Sequence, residues 1–274
     1  MKHRPVKWTR RRGWQPRECD MAAKKQKKSY EKQIADRLAG AMVLAAGKGD
    51  LQRLELLLKA GGDINGKDQY GDYPLHAACV KDSIETVKFL VSHGADVNVQ
   101  SRSGATVLNY VCAQGKMEIV RFLLDHGADP NISRDTGQTP LHALLSIRAR
   151  ANENEQELAG LLLKHGADVN ARDASLATPL LYACGGKHTS DGGIRLRAIL
   201  YLLSAGACVN IENNSGITPL HRACGQGDTA LVNILLEAGA RADKGDVHGY
   251  TPVDRAIGLS LTHPAREEIL DLFR

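Results

Sequence analysis

A 33-residue period runs through this sequence and restricts the folds that the chain can adopt. A tetrapeptide of the form Thr-Pro-Leu-His recurs with its second residue at positions 74, 107, 140, 179, 219 and 252, spaced by 33, 33, 39, 40 and 33 residues. A pentapeptide of the form Gly-Ala-Asp-Val-Asn recurs in phase with it, at 61–65, 94–98, 127–131, 166–170, 206–210 and 239–243. Two motifs recurring in phase at such a period predict an array of similar units that stack on one another.

The tetrapeptide predicts the start of a helix in each unit. In Thr139-Pro140-Leu141-His142, the threonine is a good N-cap, and the proline suits the first helical position because its missing N–H costs nothing there. The leucine is expected to point into the stack. The histidine is expected to hydrogen-bond to the backbone of the adjoining unit. A helix of about ten residues should follow.

A second helix and a turn complete each unit. Apolar residues at 119, 120, 123 and 124 have the spacing of an amphipathic helix. Gly127 supplies the left-handed conformation that ends such a helix, while Asp129 and Asn131 favour a turn through side-chain bonds to the backbone. Because each helix pair has an uncovered apolar face, only stacking produces a core.

These two motifs resemble those of the ankyrin-repeat family. The resemblance covers about residues 38–274 and implies an all-α solenoid of stacked helix pairs with short projecting β-hairpin loops. We expect about seven units. Their approximate bounds are 38–68, 69–101, 102–135, 136–174, 175–214, 215–247 and 248–274. Residues 1–37 are predicted to form a disordered, basic N-terminal tail.

The array departs from its own pattern at several positions. Asn109 takes the place of the motif histidine in the third unit, as Leu181 does in the fifth and Asp254 in the seventh. Leu176 stands where most units have the turn glycine, and we expect that hairpin tip to be distorted. The 39- and 40-residue spacings place insertions at about 148–156 and 185–193, which we expect to be surface loops.

Charge is distributed unevenly along the chain. Residues 1–32 carry 12 Lys and Arg against 3 Asp and Glu, a net charge of +9, whereas the remainder carries 24 against 28, a net charge of −4. A basic tail on a mildly acidic body predicts weak contact with polyanions through residues 1–32.

Composition and cysteine placement indicate an intracellular protein. No apolar run approaches the roughly 18 residues of a transmembrane helix, and no secretory leader is evident. We expect cytoplasmic localisation, with nuclear localisation through the basic tail as the alternative. Cysteines 79, 112, 184 and 224 occupy one repeated position and are expected to be free, buried and small rather than paired in disulfides.

No pattern in the sequence indicates catalysis, a metal site or a cofactor. Six of the ten histidines fall at repeated motif positions, and no Cys/His spacing suits zinc. The stretch Cys184-Gly185-Gly186-Lys187-His188-Thr189 lacks the spacing of a phosphate-binding loop. We therefore expect no enzyme activity.

The resemblance implies that the chain is a scaffold binding another protein through the concave face of its first helices and its hairpin tips. The tip positions that match are Tyr70, Asp72, Arg102, Gln138, Arg172, Glu212 and Tyr250. The helix positions that match are Lys81, Tyr110, Gln114, Tyr182, Arg222 and Gln226.

Recognition is expected to centre on Tyr110, Gln138, Tyr182 and Arg222, in the middle units. Three of these large side chains stand where other units carry alanine, which suggests exposure for binding. Packing against an adjacent helix is the alternative.

Two other functions are left open. One is an adaptor that contacts nucleic acid or an anionic membrane through the tail. The other is a substrate-recruiting or effector subunit, which requires an appended motif for which the sequence leaves no room before Arg274.

Overall fold

The computed structural model describes residues 16–146, 154–185, 194–260 and 262–274, with side chains from residue 25 onward except at 194. Most of the two predicted insertions lies outside the described residues. So do residues 1–15 of the predicted tail.

Within the described residues the chain forms fourteen helices. They are α1 (Pro16–Lys48), α2 (Leu51–Lys59), α3 (Pro74–Lys81), α4 (Ile84–Ser92), α5 (Val107–Gln114), α6 (Met117–Asp125), α7 (Pro140–Leu144), α8 (Glu155–Lys164), α9 (Pro179–Ala183), α10 (Ile194–Ser204), α11 (Pro219–Gln226), α12 (Thr229–Glu237), α13 (Pro252–Ile257) and α14 (Ala265–Asp271). The predicted all-α solenoid is confirmed.

The helices form two layers. The odd-numbered helices pack along one layer, as α3 does against α1 and α5, while α4, α6, α8 and α10 pack successively along the other. The core lies between the layers, and the motif leucines Leu75, Leu108, Leu141, Leu180 and Leu220 are almost fully buried there. The apolar stripe predicted on α6 is buried as well.

The tetrapeptide starts the odd-numbered helices from α3 onward, here called the inner helices, as predicted; the even-numbered helices are called the outer helices. Thr178, Thr218 and Thr251 are N-caps whose hydroxyl oxygens accept the amide three residues on, at 3.3–3.4 Å, with proline in the first helical turn. Where the cap is threonine and the fourth motif residue is polar, the side chain of that residue bonds back to the cap, so that Thr218 N donates to His221 Nδ1 at 3.2 Å. These reciprocal bonds satisfy backbone groups that a helix start leaves open.

The motif histidines also reach the next unit, as predicted. Nε2 of His76, His142 and His221 lies 3.2, 3.0 and 2.9 Å from the carbonyl oxygens of Ala105, Ala177 and Tyr250. Burial lowers the pKa of His142. A neutral ring can accept at Nδ1 and donate from Nε2, so one tautomer fits both partners. Asn109 reproduces the bond in the third unit, donating from Nδ2 to Gln138 O at 3.3 Å.

Asparagines at the end of the pentapeptide tie the other ends of the units together. Asn131 donates from Nδ2 to Gly166 O, and its Oδ1 accepts the amide of Asp168, both at 2.8 Å. The same pair of bonds recurs at Asn65, Asn98, Asn170 and Asn210. Each amide side chain therefore sets the position of the following unit.

The turn at Leu176 contradicts the expected distortion. Leu176 adopts φ +59°, the left-handed region that its glycine counterparts occupy. Its amide donates to Asp173 O at 2.8 Å, matching the bond from Gly137 N to Arg134 O. The turn is kept at a conformational cost of about 1–2 kcal/mol for a residue with a Cβ.

The projecting tips are closed by backbone bonds rather than by extended strands. In each, the amide of the first residue bonds to the carbonyl four residues on, as from Asp173 N to Ala177 O at 3.0 Å. Within the described residues, one isolated bridge between Gln100 and Thr106 represents β structure.

The segment predicted to be a disordered tail, residues 1–37, contains the start of α1 at Pro16. Two causes extend this helix. The first unit has Gly40 and Ala41 in place of the cap and proline that start other inner helices, so nothing ends the helix there. The preceding residues are mostly Lys, Gln, Glu and Ala, which are good helix formers. Side chains 25–37 are all exposed, and burial begins at Leu38.

Candidate functional site

The tips and the odd-numbered helices together present one surface, here called the inner-helix face. All thirteen predicted contact residues retain some exposure. Tyr70, Asp72, Lys81, Arg102, Gln114, Arg172 and Tyr250 are exposed, while Tyr110, Gln138, Tyr182, Glu212, Arg222 and Gln226 are half-buried.

Backbone bonds connect neighbouring tips along this face. They run from Asp135 N to Ser103 O, Ala174 N to Thr136 O, Asn214 N to Ser175 O and Val247 N to Ser215 O, at 2.8–3.1 Å. Sequence reasoning missed these bonds, because they join residues more than 30 positions apart with no distinctive side chain. They fix the spacing of the tips.

Two predicted contact residues strengthen the connection between tips. Arg102 donates to Gln69 O at 2.6 Å, and its side chain packs against Gly71, where a Cβ would lie 2.7 Å from Nε. Arg172 donates to Glu212 O at 2.9 Å. Both guanidiniums therefore have a structural role, whether or not a partner also contacts them.

Tyr182 belongs to a hydrogen-bond network in the middle of the face. Its hydroxyl donates to Asp173 Oδ2 at 2.8 Å and accepts from Gln138 Nε2 at 2.5 Å. Its ring meets the edge of His142 at a centroid distance of 5.3 Å. The predicted residues Gln138 and Tyr182 are thus brought together. Much of the Tyr182 side chain is packed against neighbouring residues, which fits the alternative that it packs rather than binds a partner.

Asp173, which sequence reasoning did not single out, supports both this network and the tip. Its Oδ1 accepts the amides of Ser175 and Ala177, each at 2.9 Å. Burial acts to raise the pKa of Asp173, but hydrogen bonds from Ser175, Tyr182 and these amides outweigh it and hold the pKa below its ordinary value. The carboxylate therefore stays charged and accepts hydrogen bonds.

Gln226 on the face, and Lys116 at the start of α6, reach back to the preceding units. Gln226 donates to Cys184 O at 3.1 Å. Lys116, also missed from sequence, donates to Cys79 O at 2.8 Å, forms an ion pair with Asp82 at 3.3 Å and lies 5.5 Å from the ring centre of Tyr110. These bonds satisfy carbonyl groups at the ends of inner helices.

Arg222 occupies the place on α11 that Tyr182 occupies on α9. Its side chain is half-exposed, and its charge acts on Tyr182 and on Cys184. Arg222 therefore influences the Tyr182 network through its charge and retains access to solvent.

The cysteines are poorly suited to nucleophilic chemistry. Cys79, Cys112, Cys184, Cys208 and Cys224 are free, and all but Cys208 are buried. Burial raises the pKa of Cys79, Cys184 and Cys224 to about 12, so these thiols stay protonated near neutral pH.

The described residues contain neither a cluster suited to a metal ion nor a helix suited to a membrane. No three His, Cys, Asp or Glu side chains there lie close enough to hold a metal ion. No helix there has the length and apolar character needed to cross a bilayer.

The sequence matches the family described as Ankyrin repeats (3 copies), over residues 26–101, 42–134, 96–173 and 189–264. The chain belongs to the ankyrin-repeat family. Ankyrin repeats are generally protein–protein interaction modules and non-catalytic scaffolds. No curated protein sequence matches the chain.

Solved structures with the same fold include three ankyrin repeat domains. That of Bcl-3, described as a unique member of the IkappaB protein family, is 28% identical with a TM-score of 0.68, covering 85% of this chain and 97% of that one. That of human ASB11 is 25% identical with a TM-score of 0.67, covering 84% and 96%. A domain from Acinetobacter baumannii AYE is 31% identical with a TM-score of 0.63, covering 73% and 98%.

The Tyr182 network leads to a prediction about stability. Tyr182→Phe should lower the free energy of unfolding by about 1–2 kcal/mol, because Asp173 and Gln138 lose a shared partner. Urea denaturation measures the change. Tyr110→Phe, whose hydroxyl bonds to no described residue, is the matched control and should change stability by less than about 0.5 kcal/mol. Equal effects of the two variants would contradict the assigned role.

Proposed function

We propose that this chain is a non-enzymatic scaffold that binds a partner protein along the inner-helix face, with the contact centred on Tyr110, Gln138, Tyr182 and Arg222. The observation that carries the proposal is the presence of large, partly exposed side chains at one repeated place on α5, α9 and α11, beside tips joined by hydrogen bonds.

The stiffness of the face supports this proposal. Association costs free energy wherever side chains and loops must be ordered, and pre-ordering lowers that cost. Here the tips are joined by backbone bonds, and Tyr182 is held by two hydrogen bonds. A partner would therefore meet a surface that needs little rearrangement.

The residue types support it as well. Tyrosine and arginine are enriched among the few residues that dominate binding energy at interfaces. Tyrosine supplies a large contact area with few rotatable bonds. Tyr70, Tyr110, Tyr182 and Tyr250 all lie on the inner-helix face, and Arg222 stands among them.

Arg222 gives the cleanest test, because Tyr182 also contributes to stability. A partner captured with the intact chain and identified by mass spectrometry would be titrated calorimetrically against Arg222→Ala. We expect affinity to fall about 30-fold, equivalent to about 2 kcal/mol. Arg53→Ala, an exposed arginine on α2, is the matched control and should bind within about threefold of the unchanged chain.

Cross-linking of the same complex checks the location independently. Lys67 and Lys81 are exposed on the inner-helix face, whereas Lys59, Lys88 and Lys164 are exposed on outer helices. The partner should cross-link to the first pair. Predominant cross-links to the outer lysines, with Arg222→Ala binding normally, would place the site on the opposite surface.

A second candidate function is an adaptor contacting nucleic acid or an anionic membrane through the N-terminal segment. The exposure of Lys25, Lys27, Lys28 and Lys32 on α1 favours it. Titration of single-stranded RNA or anionic vesicles should give binding that weakens with salt, because counterions are released, and that is lost on deletion of residues 1–32. Retained binding after deletion would exclude the segment as the contact.

A further inference from the structure

The extension of α1 creates a feature that no other described helix of its layer has. Other described inner helices begin at the tetrapeptide, whereas α1 continues from the equivalent position, Ala41, back to Pro16. At 1.5 Å per residue, this adds about 37 Å of helix. The extension, residues 16–40, is here called the arm.

A cleft lies between the base of the arm and the first tip. Its volume is about 760 Å³, within the range of sites that hold ligands. Leu44 and Tyr70 line it and are 52% and 64% exposed, with Val43 half-buried beside them. Gly40 lines the wall and contributes no side chain. Exposed apolar side chains gathered in a concavity are characteristic of binding sites.

The charged side chains that line this arm cleft carry a net charge of +1. Lys32, Arg37 and Lys67 line it, against Asp36 and Asp68. The Asp68 carboxylate already accepts hydrogen bonds within the tip, because its Oδ1 accepts the amides of Tyr70 and Asp72 at 2.8 and 2.9 Å. Lys67 lies 5.1 Å from the ring centre of Tyr73, and the arm carries further exposed lysines beyond the cleft. An anionic ligand would therefore be favoured.

We propose that the arm cleft binds an acidic peptide segment of a partner protein, with one large apolar side chain seated against Leu44 and Tyr70. Two of the three apolar side chains that line the cleft, Val43 and Leu44, are aliphatic, which favours a peptide over a nucleic acid, because single-stranded nucleic-acid sites use several stacking aromatics. The inference rests on the proposed function, that the chain binds proteins, and adds a cleft with its own ligand chemistry that shares Tyr70 and Lys67 with the end of the inner-helix face.

Three fluorescent peptides test the proposal on the full chain. The first has a central Leu-Phe pair flanked by glutamates, the second has the same pair flanked by lysines, and the third consists of glutamate and glycine only. Fluorescence anisotropy should show that the first binds at least tenfold more tightly than either of the others. A third peptide that binds as well as the first would overturn the proposal, since charge alone would then suffice.

Matched variants locate the binding. Leu44→Ser and Tyr70→Ser should each weaken binding of the first peptide at least fivefold, whereas Leu56→Ser, at a leucine on α2 that is more exposed than Leu44, should not. Arg37→Glu should weaken it further than Arg53→Glu does. Circular dichroism melts verify that each variant is folded. Unchanged binding by the folded Leu44 and Tyr70 variants would refute the proposal.

Two further experiments distinguish this proposal from binding of a nucleic acid and from binding at Arg222. Single-stranded RNA that displaces the first peptide from the arm cleft with equal affinity would overturn the preference for a peptide. If Arg222→Ala abolishes peptide binding while Leu44→Ser preserves it, the arm-cleft proposal fails and the inner-helix face stands. If no peptide binds, the arm-cleft proposal fails alone, because the cross-linking test of the inner-helix face uses the captured partner.

Discussion

No helix pair in this chain can cover its own apolar face, and the contact between successive pairs is the interaction on which the structure depends. The motif leucines are buried only because a neighbouring unit lies against them. Three sets of polar bonds then fix how each unit sits on the next: the histidine bonds at the helix starts, the asparagine bonds at the loops and the backbone bonds between tips. Stacking supplies the favourable burial, and the polar bonds set its geometry.

The surface proposed for binding is a consequence of this stacking. Repetition brings position 110 on α5, 182 on α9 and 222 on α11 to equivalent places, although they are far apart in sequence. A residue that departs from the repeat therefore lies at a position where the other units carry equivalent residues. Leu181 replaces the motif histidine, and the adjacent Tyr182 instead bonds to Asp173 and Gln138. The arm is another departure, caused by a missing helix start in the first unit.

Much of the fold could be predicted, because the signals that specify it are local. Threonine and proline start helices, glycine ends them, and their recurrence sets the units. The errors arose where a local signal was overridden or absent. Leu176 keeps the glycine conformation because bonds on both sides of the turn hold it. The extent of α1 could not be read from a pattern of caps, since the first unit has none.

The candidate site was less predictable than the fold. Exposure of tip residues follows from their place in the repeat. The structural roles of Arg102, Arg172 and Gln226 could not be predicted from the repeat, because each side chain bonds to a carbonyl group 33 to 42 residues away. Lys116 lacks a sequence signature for the same reason, because Cys79 lies 37 residues away. Asp173 instead bonds to Ser175, Ala177 and Tyr182, all within nine residues. The choice of contact residues remains a prediction.

Loss of one asparagine connection in the middle of the array tests most directly whether bonds between units hold the array as one body. Asn131→Ala removes two bonds between the third and fourth units and should cost about 2 kcal/mol of unfolding free energy. Asn233→Ala, on α12, whose side chain forms no hydrogen bond to another described residue, should cost less than about 0.5 kcal/mol. Native-state hydrogen exchange is the decisive measurement. In Asn131→Ala, the protection of backbone amides should fall first on one side of the junction between the third and fourth units. Uniform protection and unchanged stability in this variant would contradict the account.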